Sequence, residues 1–150
     1  MKNLDKLKEG VTEHERLKVL HLVNDLGCGG AQKVIVDMVG NADREKIEFT
    51  VGCWGRQWGD EHVHDLERMN VEVVDFQARH KFDPKALYRI STYLKHHTID
   101  ILHTHLYLMH VIGRLAGKMA RIPCIVSTHH NLRQSNHIGL RVLERMTLPL

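Results

Sequence analysis

Cysteine is scarce in this chain of 150 residues: Cys28, Cys53 and Cys124 are an odd number with no Cys-x-x-Cys spacing. That excludes a disulfide framework or a zinc ribbon and fits reduced thiols. No apolar run approaches the roughly 18 residues of a membrane-spanning helix. Residues 1–16 lack the apolar middle of a signal peptide. The expected location is therefore the cytoplasm. Charge of one sign is also lacking. A net charge of +3 with histidine neutral is too mild to announce a nucleic-acid partner, which calls for a clustered basic face. There is no internal repeat and no low-complexity tract. With 43% apolar and 26% charged residues, the chain reads as one soluble globular domain.

Histidine, by contrast, is plentiful, at thirteen residues, so the chain gains positive charge below about pH 6.5. Residues 1–16 are polar and are read as an extension without assigned function. From Leu17 the pattern alternates strand with helix. The apolar run at Leu17–Val23 reads as a buried strand. Gly27-Cys28-Gly29-Gly30 turns it into a helix whose face is drawn by Ala31, Val34, Ile35, Met38 and Val39. Ile47, Phe49, Val51 and Cys53 alternate with Glu48, Thr50 and Gly52, the period of a strand with one wetter face. Asp60 is placed as the cap of a short helix carrying Val63, Leu66 and Met69. Val71–Phe76 is the third strand. Asp83-Pro84 opens a helix with a cap residue and proline at its first position. Ile99–His105 is the fourth strand. The helix after it is striped by Leu108, Val111, Ile112, Leu115, Ala116 and Met119. Pro123–Thr128 is the fifth strand, and a last helical pattern uses Ile138, Val142, Leu143 and Met146. Such alternation implies an α/β fold, a three-layer Rossmann-like parallel sheet with the expected order 3-2-1-4-5. Its ligand edge lies at the carboxyl ends of the strands, at the switch between strands 1 and 4.

Three groups of residues meet at that edge. The first is the glycine turn, where a helix start offers free N–H groups and partial positive charge to a phosphate. It is not the G-x-G-x-x-G dinucleotide fingerprint, because Gln32 stands at the third position, and it is not a Walker A loop. A tight turn that binds nothing is the alternative. The second group is His103 and His105, two apart on a strand and so on one side of it. With His129 or His130 and the carboxylate of Asp25 they would suit a metal-dependent hydrolase. Otherwise they are hydrogen-bonding or buried structural histidines. The third group is basic: Arg114, Lys118 and Arg121 on one helix, and Arg133, Arg141 and Arg145 near another. They form either a solvated face or a patch for anionic headgroups at the inner face of the membrane. Trp54 and Trp58 either clamp an acceptor ring or simply pack.

Three stretches carry a family likeness. They are Lys18–Lys33 (KVLHLVNDLGCGGAQK), Asp100–Leu106 running on into Gly113-Arg114-Leu115-Ala116, and Ile122–Leu132 with its Thr128-His129-His130-Asn131 turn. The chain resembles the amino-terminal domain of family 4 retaining glycosyltransferases of the GT-B fold, over about residues 17–148. The resemblance implies transfer of a sugar from a nucleotide-sugar donor to a glycan or lipid-linked acceptor, with retention and without a cofactor or metal. It places Gly27, Gly29 and Gly30 at the donor diphosphate, and His105, His103 and Asn131 at the acceptor or sugar. It puts His130 or, with a shift of one residue, His129 at the reaction centre. It also implies a donor-binding carboxy-terminal domain that residues 17–150 do not include, so that the chain alone is expected to be inactive. A non-catalytic Rossmann-like binding module and the metal-dependent hydrolase are the competing functions.

Overall fold

The computed structural model describes residues 16–130 together with Val142 and Thr147. The extension before residue 16, Asn131, Arg133, Arg141, Arg145 and most of the last helical pattern lie outside the described residues. The chain runs β1 (Leu17–Val23), α1 (Gly30–Asn41), β2 (Ile47–Cys53), a 3-10 turn (Arg56–Trp58), α2 (Val63–Arg68) and β3 (Glu72–Asp75). It continues as α3 (Pro84–His96), β4 (Ile101–His105), α4 (Tyr107–Ala120) and β5 (Cys124–Thr128). The five strands form one sheet in the order β3-β2-β1-β4-β5, and every neighbouring pair is parallel. This is the expected order, with the switch point between β1 and β4.

Alternation along β1 divides the core in two. Val19 and Val23 pack with Ile35, Val36 and Val39 of α1, Val63 and Leu66 of α2, and Phe49, Val51 and Cys53 of β2. Leu20 and Leu22 point the other way, to Ala86, Ile90 and Leu94 of α3 and to Met109, Ile112 and Ala116 of α4. Burying each large aliphatic side chain contributes about 1.5–3 kcal/mol, so the three layers hold together chiefly through these two clusters. On the face of β2 expected to be wetter, only Glu48 is exposed: Thr50 is buried, and Gly52 lies under Phe76, whose Cε2 would stand 2.5 Å from a Cβ placed there.

Two helix faces differ from the periodicity reading. On α1, Val34 and Met38 are exposed, whereas Gln32 and Val36 are buried. On α4, Leu115 and Met119 are exposed, and the contact face is Met109, Ile112, Gly113, Ala116 and Gly117. Glycine sets the second case. A Cβ on Gly113 would lie 2.3 Å from Thr104 Cγ2, and one on Gly117 would lie 2.6 Å from Ile125 Cδ1. The helix comes down on its smallest residues, which a hydrophobic pattern does not mark.

The caps also divide. Asp83 caps α3, its carboxylate accepting from the N–H groups of Lys85 and Ala86 and also from that of Arg79 at 2.9 Å. α2 starts one residue after His62, and Asp60 contributes only its backbone carbonyl, to Val63 N–H at 2.9 Å. Arg114 corrects the basic-face reading: it is buried, with its guanidinium donating to Ser127 Oγ at 3.5 Å and Thr147 Oγ1 at 3.4 Å. Lys118 and Arg121 are exposed. No helix among the described residues is long and apolar enough to cross a membrane.

Candidate functional site

The glycine turn sits at the carboxyl end of β1 and is held from two sides. Asp25 Oδ1 accepts from Gly27 N–H at 3.0 Å and from Gln32 Nε2 at 2.9 Å. Leu26 donates to the Gly59 carbonyl at 2.9 Å, and His62 donates back to the Leu26 carbonyl at 2.9 Å. Gly59 has φ of 152°, a region that favours glycine. A Cβ there would stand 2.7 Å from Gly27 Cα. The loop after β2 therefore latches the turn, a role the sequence did not announce for Gly59. Asp25 is committed to this turn.

Beyond the latch, α1 begins without a side-chain cap. Gly29 is the cap residue and no acidic residue follows in the first turn. Helix geometry leaves the first N–H groups without intrahelical partners. A Cβ added at Gly30 meets nothing within 4 Å, whereas one at Gly29 would strike Gln32 Oε1 at 2.2 Å. Of the three predicted glycines, Gly30 is the one facing free space, Gly29 is closed by Gln32, and Gly27 is buried against Asp25 and Glu61.

The histidines gather on one face of the sheet. β1 and β4 pair with His21 in register with His103, which brings in a residue the sequence reading passed over. The His21 ring stacks on Phe49, with centroids 5.6 Å apart, and lies 4.9 Å from His103 and 5.2 Å from His105. His103 and His105 are 4.2 Å apart. Two ring-to-ring hydrogen bonds run in series, each 2.9 Å: His21 Nδ1 with His105 Nε2, and His105 Nδ1 with His130 Nε2. His103 Nε2 is hydrogen-bonded to Thr128 Oγ1 at 2.7 Å. The doubled histidine separates cleanly. His130 joins His105, while His129 is exposed and lies beside His110 and Tyr107 of α4, at centroid distances of 4.4 and 6.3 Å.

Burial keeps the cluster neutral. Desolvation lowers the His21 pKa to about 3, with His103 adding to it. It lowers His105 to about 2, with help from the neighbouring rings, and His110 to about 3. His103 and His130 are lowered too, again mainly by desolvation. Neutral imidazoles are the form that ligates a metal, and nitrogens of His21, His103 and His105 lie within 4.8 Å of one another. However, both nitrogens of His105 and the Nε2 of His103 are already engaged in hydrogen bonds. A cation bound there would have to break a hydrogen bond of His105, so the arrangement fits a hydrogen-bonded polar cluster better than a metal centre.

A strained residue follows immediately. Leu106 has φ 68° and ψ 152°, which is unusual outside glycine, and it turns the chain sharply from β4 into α4. The tryptophans do not form a clamp. Trp54 is buried, with its Nε1–H donating to the His80 carbonyl at 3.1 Å, whereas Trp58 is exposed.

Residues 28–150 match the model of Glycosyltransferase Family 4. The chain belongs to that family. Over 125 residues it is 40% identical to the UDP-Gal:alpha-D-GlcNAc-diphosphoundecaprenol alpha-1,3-galactosyltransferase of Escherichia coli. That match covers 78% of this chain and 30% of the relative. Among solved structures it is similar to Anabaena Alr3699/HepE in complex with UDP, with TM-score 0.66 and 19% identity over 89% of this chain and 34% of that one. It is also similar to Acinetobacter baumannii MurG, with TM-score 0.64 and 15% identity over 86% and 39%. At those identities the likeness concerns the fold, and it bears out the expected sheet of a GT-B glycosyltransferase. The chain spans about a third of the length of the proteins it matches.

Proposed function

We propose that this family member forms the acceptor side of a glycosyltransferase that uses a UDP-activated sugar, galactose by likeness to the Escherichia coli enzyme, and a lipid-linked or glycan acceptor. The observation that carries the reading is the uncapped start of α1, with space over Gly30, following the strand that supplies His21 to the histidine cluster. Sugar transfer builds negative charge on the departing diphosphate. Backbone N–H groups at a helix start meet that charge without rearrangement. His130, and His105 and His103 behind it, stand where a sugar hydroxyl would need a neutral hydrogen-bonding partner. The resemblance to the retaining family adds retention of configuration, which the anomeric form of the product tests. A second domain completes the donor site, and residues 17–150 alone are expected not to turn over.

The test is titration of the chain with UDP-galactose, followed by backbone amide shifts. Shifts are expected at Gly29–Gln32 and at His130. Gly30→Ala is expected to abolish them while leaving stability intact, because the methyl enters space that the folded chain leaves empty. Unchanged binding by Gly30→Ala would refute the placement of the diphosphate. Steady transfer of galactose by the chain alone would refute the need for a second domain. Peripheral attachment at a membrane's inner face would rest on the exposed Lys118 and Arg121. Flotation with anionic vesicles that a Lys118→Glu, Arg121→Glu chain loses would support it, and equal flotation with neutral vesicles would count against it.

A further inference from the structure

The three-histidine series has a direction. A neutral imidazole carries one N–H, so His105, bonded through both nitrogens, donates on one side and accepts on the other. Two arrangements are available. In the inward one, His130 Nε2–H donates to His105, His105 Nε2–H donates to His21, and His21 must carry its proton on Nε2. That nitrogen is buried with no hydrogen-bond partner among the described residues. The inward arrangement thus leaves an orphaned N–H in the core, which native structures rarely tolerate. In the outward one, His21 Nδ1–H donates to His105 Nε2 and His105 Nδ1–H donates to His130 Nε2. Only a lone pair on His21 is then left without a partner.

We infer that His21 and His105 are positioning residues that hold His130 in its Nδ1–H tautomer, so that His130 meets the ligand as a hydrogen-bond donor. This deepens the reading of His130 as a ligand contact and rests on it. The Nε2 of His130 is occupied by the N–H of His105, so His130 does not take up a proton there without reversing the whole series. Its remaining nitrogen, Nδ1, carries a hydrogen that suits an oxygen of a sugar or diphosphate. The core histidine at His21 acts on the cleft through two hydrogen bonds, and the buried end of the series sets what the outer end presents.

The tautomers can be read directly. With histidine-labelled 150-residue chain at pH 7.5, two-bond proton–nitrogen correlations report which nitrogen of each ring is protonated. Nδ1 protonation of His21, His105 and His130 is expected, with nitrogen–nitrogen couplings across both ring-to-ring bonds. Nε2 protonation of any of the three, or a missing coupling, overturns the inference. His21→Asp puts an acceptor-only group near the place of Nδ1, so His105 is expected to donate to it through Nε2 and accept at Nδ1, which reverses the series and moves the His130 proton to Nε2. A folded His21→Asp chain with an unchanged His130 tautomer overturns the inference. If that variant does not fold, the couplings in the unsubstituted chain decide. Titration of the same sample with UDP-galactose separates the two readings. The expected tautomers without amide shifts at Gly29–Gln32 retain the histidine series and refute the donor site.

Discussion

Acid is the perturbation to which this fold should respond most strongly. His21, His105 and His110 are buried, at 1%, 0% and 0% exposure, with pKa values lowered to about 3, 2 and 3. The unfolded chain titrates them near 6.5. Between those values the folded state holds them neutral while the unfolded state binds a proton on each, so stability is complete above about pH 6.5 and falls with pH below it. At pH 5.5 each group costs about 1.4 kcal/mol, and the three together about 4 kcal/mol. The result hardly depends on how low the folded values lie, because pH 5.5 is far above all three. His103 and His130, also lowered, act in the same direction. Against a total stability of about 5–15 kcal/mol for a typical domain, such a loss places acid unfolding near pH 5, above the range where carboxylates protonate. The assay is urea unfolding at pH 7.5, 6.5 and 5.5, with the m-value checked for constancy. His110→Asn, whose amide can reach Thr104 as Nδ1 of His110 does at 3.0 Å, should flatten the pH slope by about a third. Stability at pH 5.5 within about 1 kcal/mol of that at pH 7.5 would refute the reasoning, since the cluster would then accept protons without unfolding.

Two further substitutions test the packing. Gly113→Ala puts a Cβ 2.3 Å from Thr104 Cγ2. Thr104 is fixed by hydrogen bonds of its Oγ1 with His110, Ser127 and the Val126 carbonyl, so a loss of about 1–3 kcal/mol is expected. An unchanged urea midpoint would count against the close approach of α4. Asp83→Ala removes the acceptor for three backbone N–H groups and should lower Tm by about 2–8 °C. Asp83→Asn, which keeps an acceptor oxygen, should recover much of that by calorimetry.

Much of the fold was legible in the sequence because its signals were local. The strand order followed from alternating elements with short connections, and Asp83-Pro84 marked a helix start that the structure reproduces with two cap hydrogen bonds. What was not legible depended on partners distant in sequence. Val34, Met38, Leu115 and Met119 fit a helical stripe yet are exposed. The true faces are set by Gln32 reaching Asp25 and by Gly113 and Gly117 meeting the sheet. Arg114 stands beside Lys118 and Arg121 in the helical pattern, but its guanidinium is buried against Ser127 and Thr147. His21 was passed over because a lone histidine in an apolar strand carries no signal. The expected order already made β1 and β4 neighbours, and a histidine on β1 beside a His-x-His pair on β4 was the clue available. Register, which fixes His21 opposite His103, is the part that a sequence does not display.

The two sides of the site are built in different ways, and this decides what substitution can do to each. The glycine turn is shaped by backbone: Leu26 bonds to Gly59, Gly27 lies against Gly59, and Gly30 faces empty space. Side chains there act by occupying or leaving volume, so an added methyl is the sharp probe. The histidine side is shaped by polar hydrogens, with two ring-to-ring bonds and a buried, unpartnered nitrogen at its inner end. A substitution of equal volume there changes which atom carries a proton while the packing stays nearly constant. Gly30→Ala should therefore alter ligand binding without altering histidine tautomers. His21→Asp, by putting an acceptor beside His105 Nε2, should reverse the tautomers and, through His130, alter the ligand contact. If Gly30→Ala shifted the His130 tautomer, the turn and the histidines would be one coupled unit, and the division drawn from their geometry would be wrong.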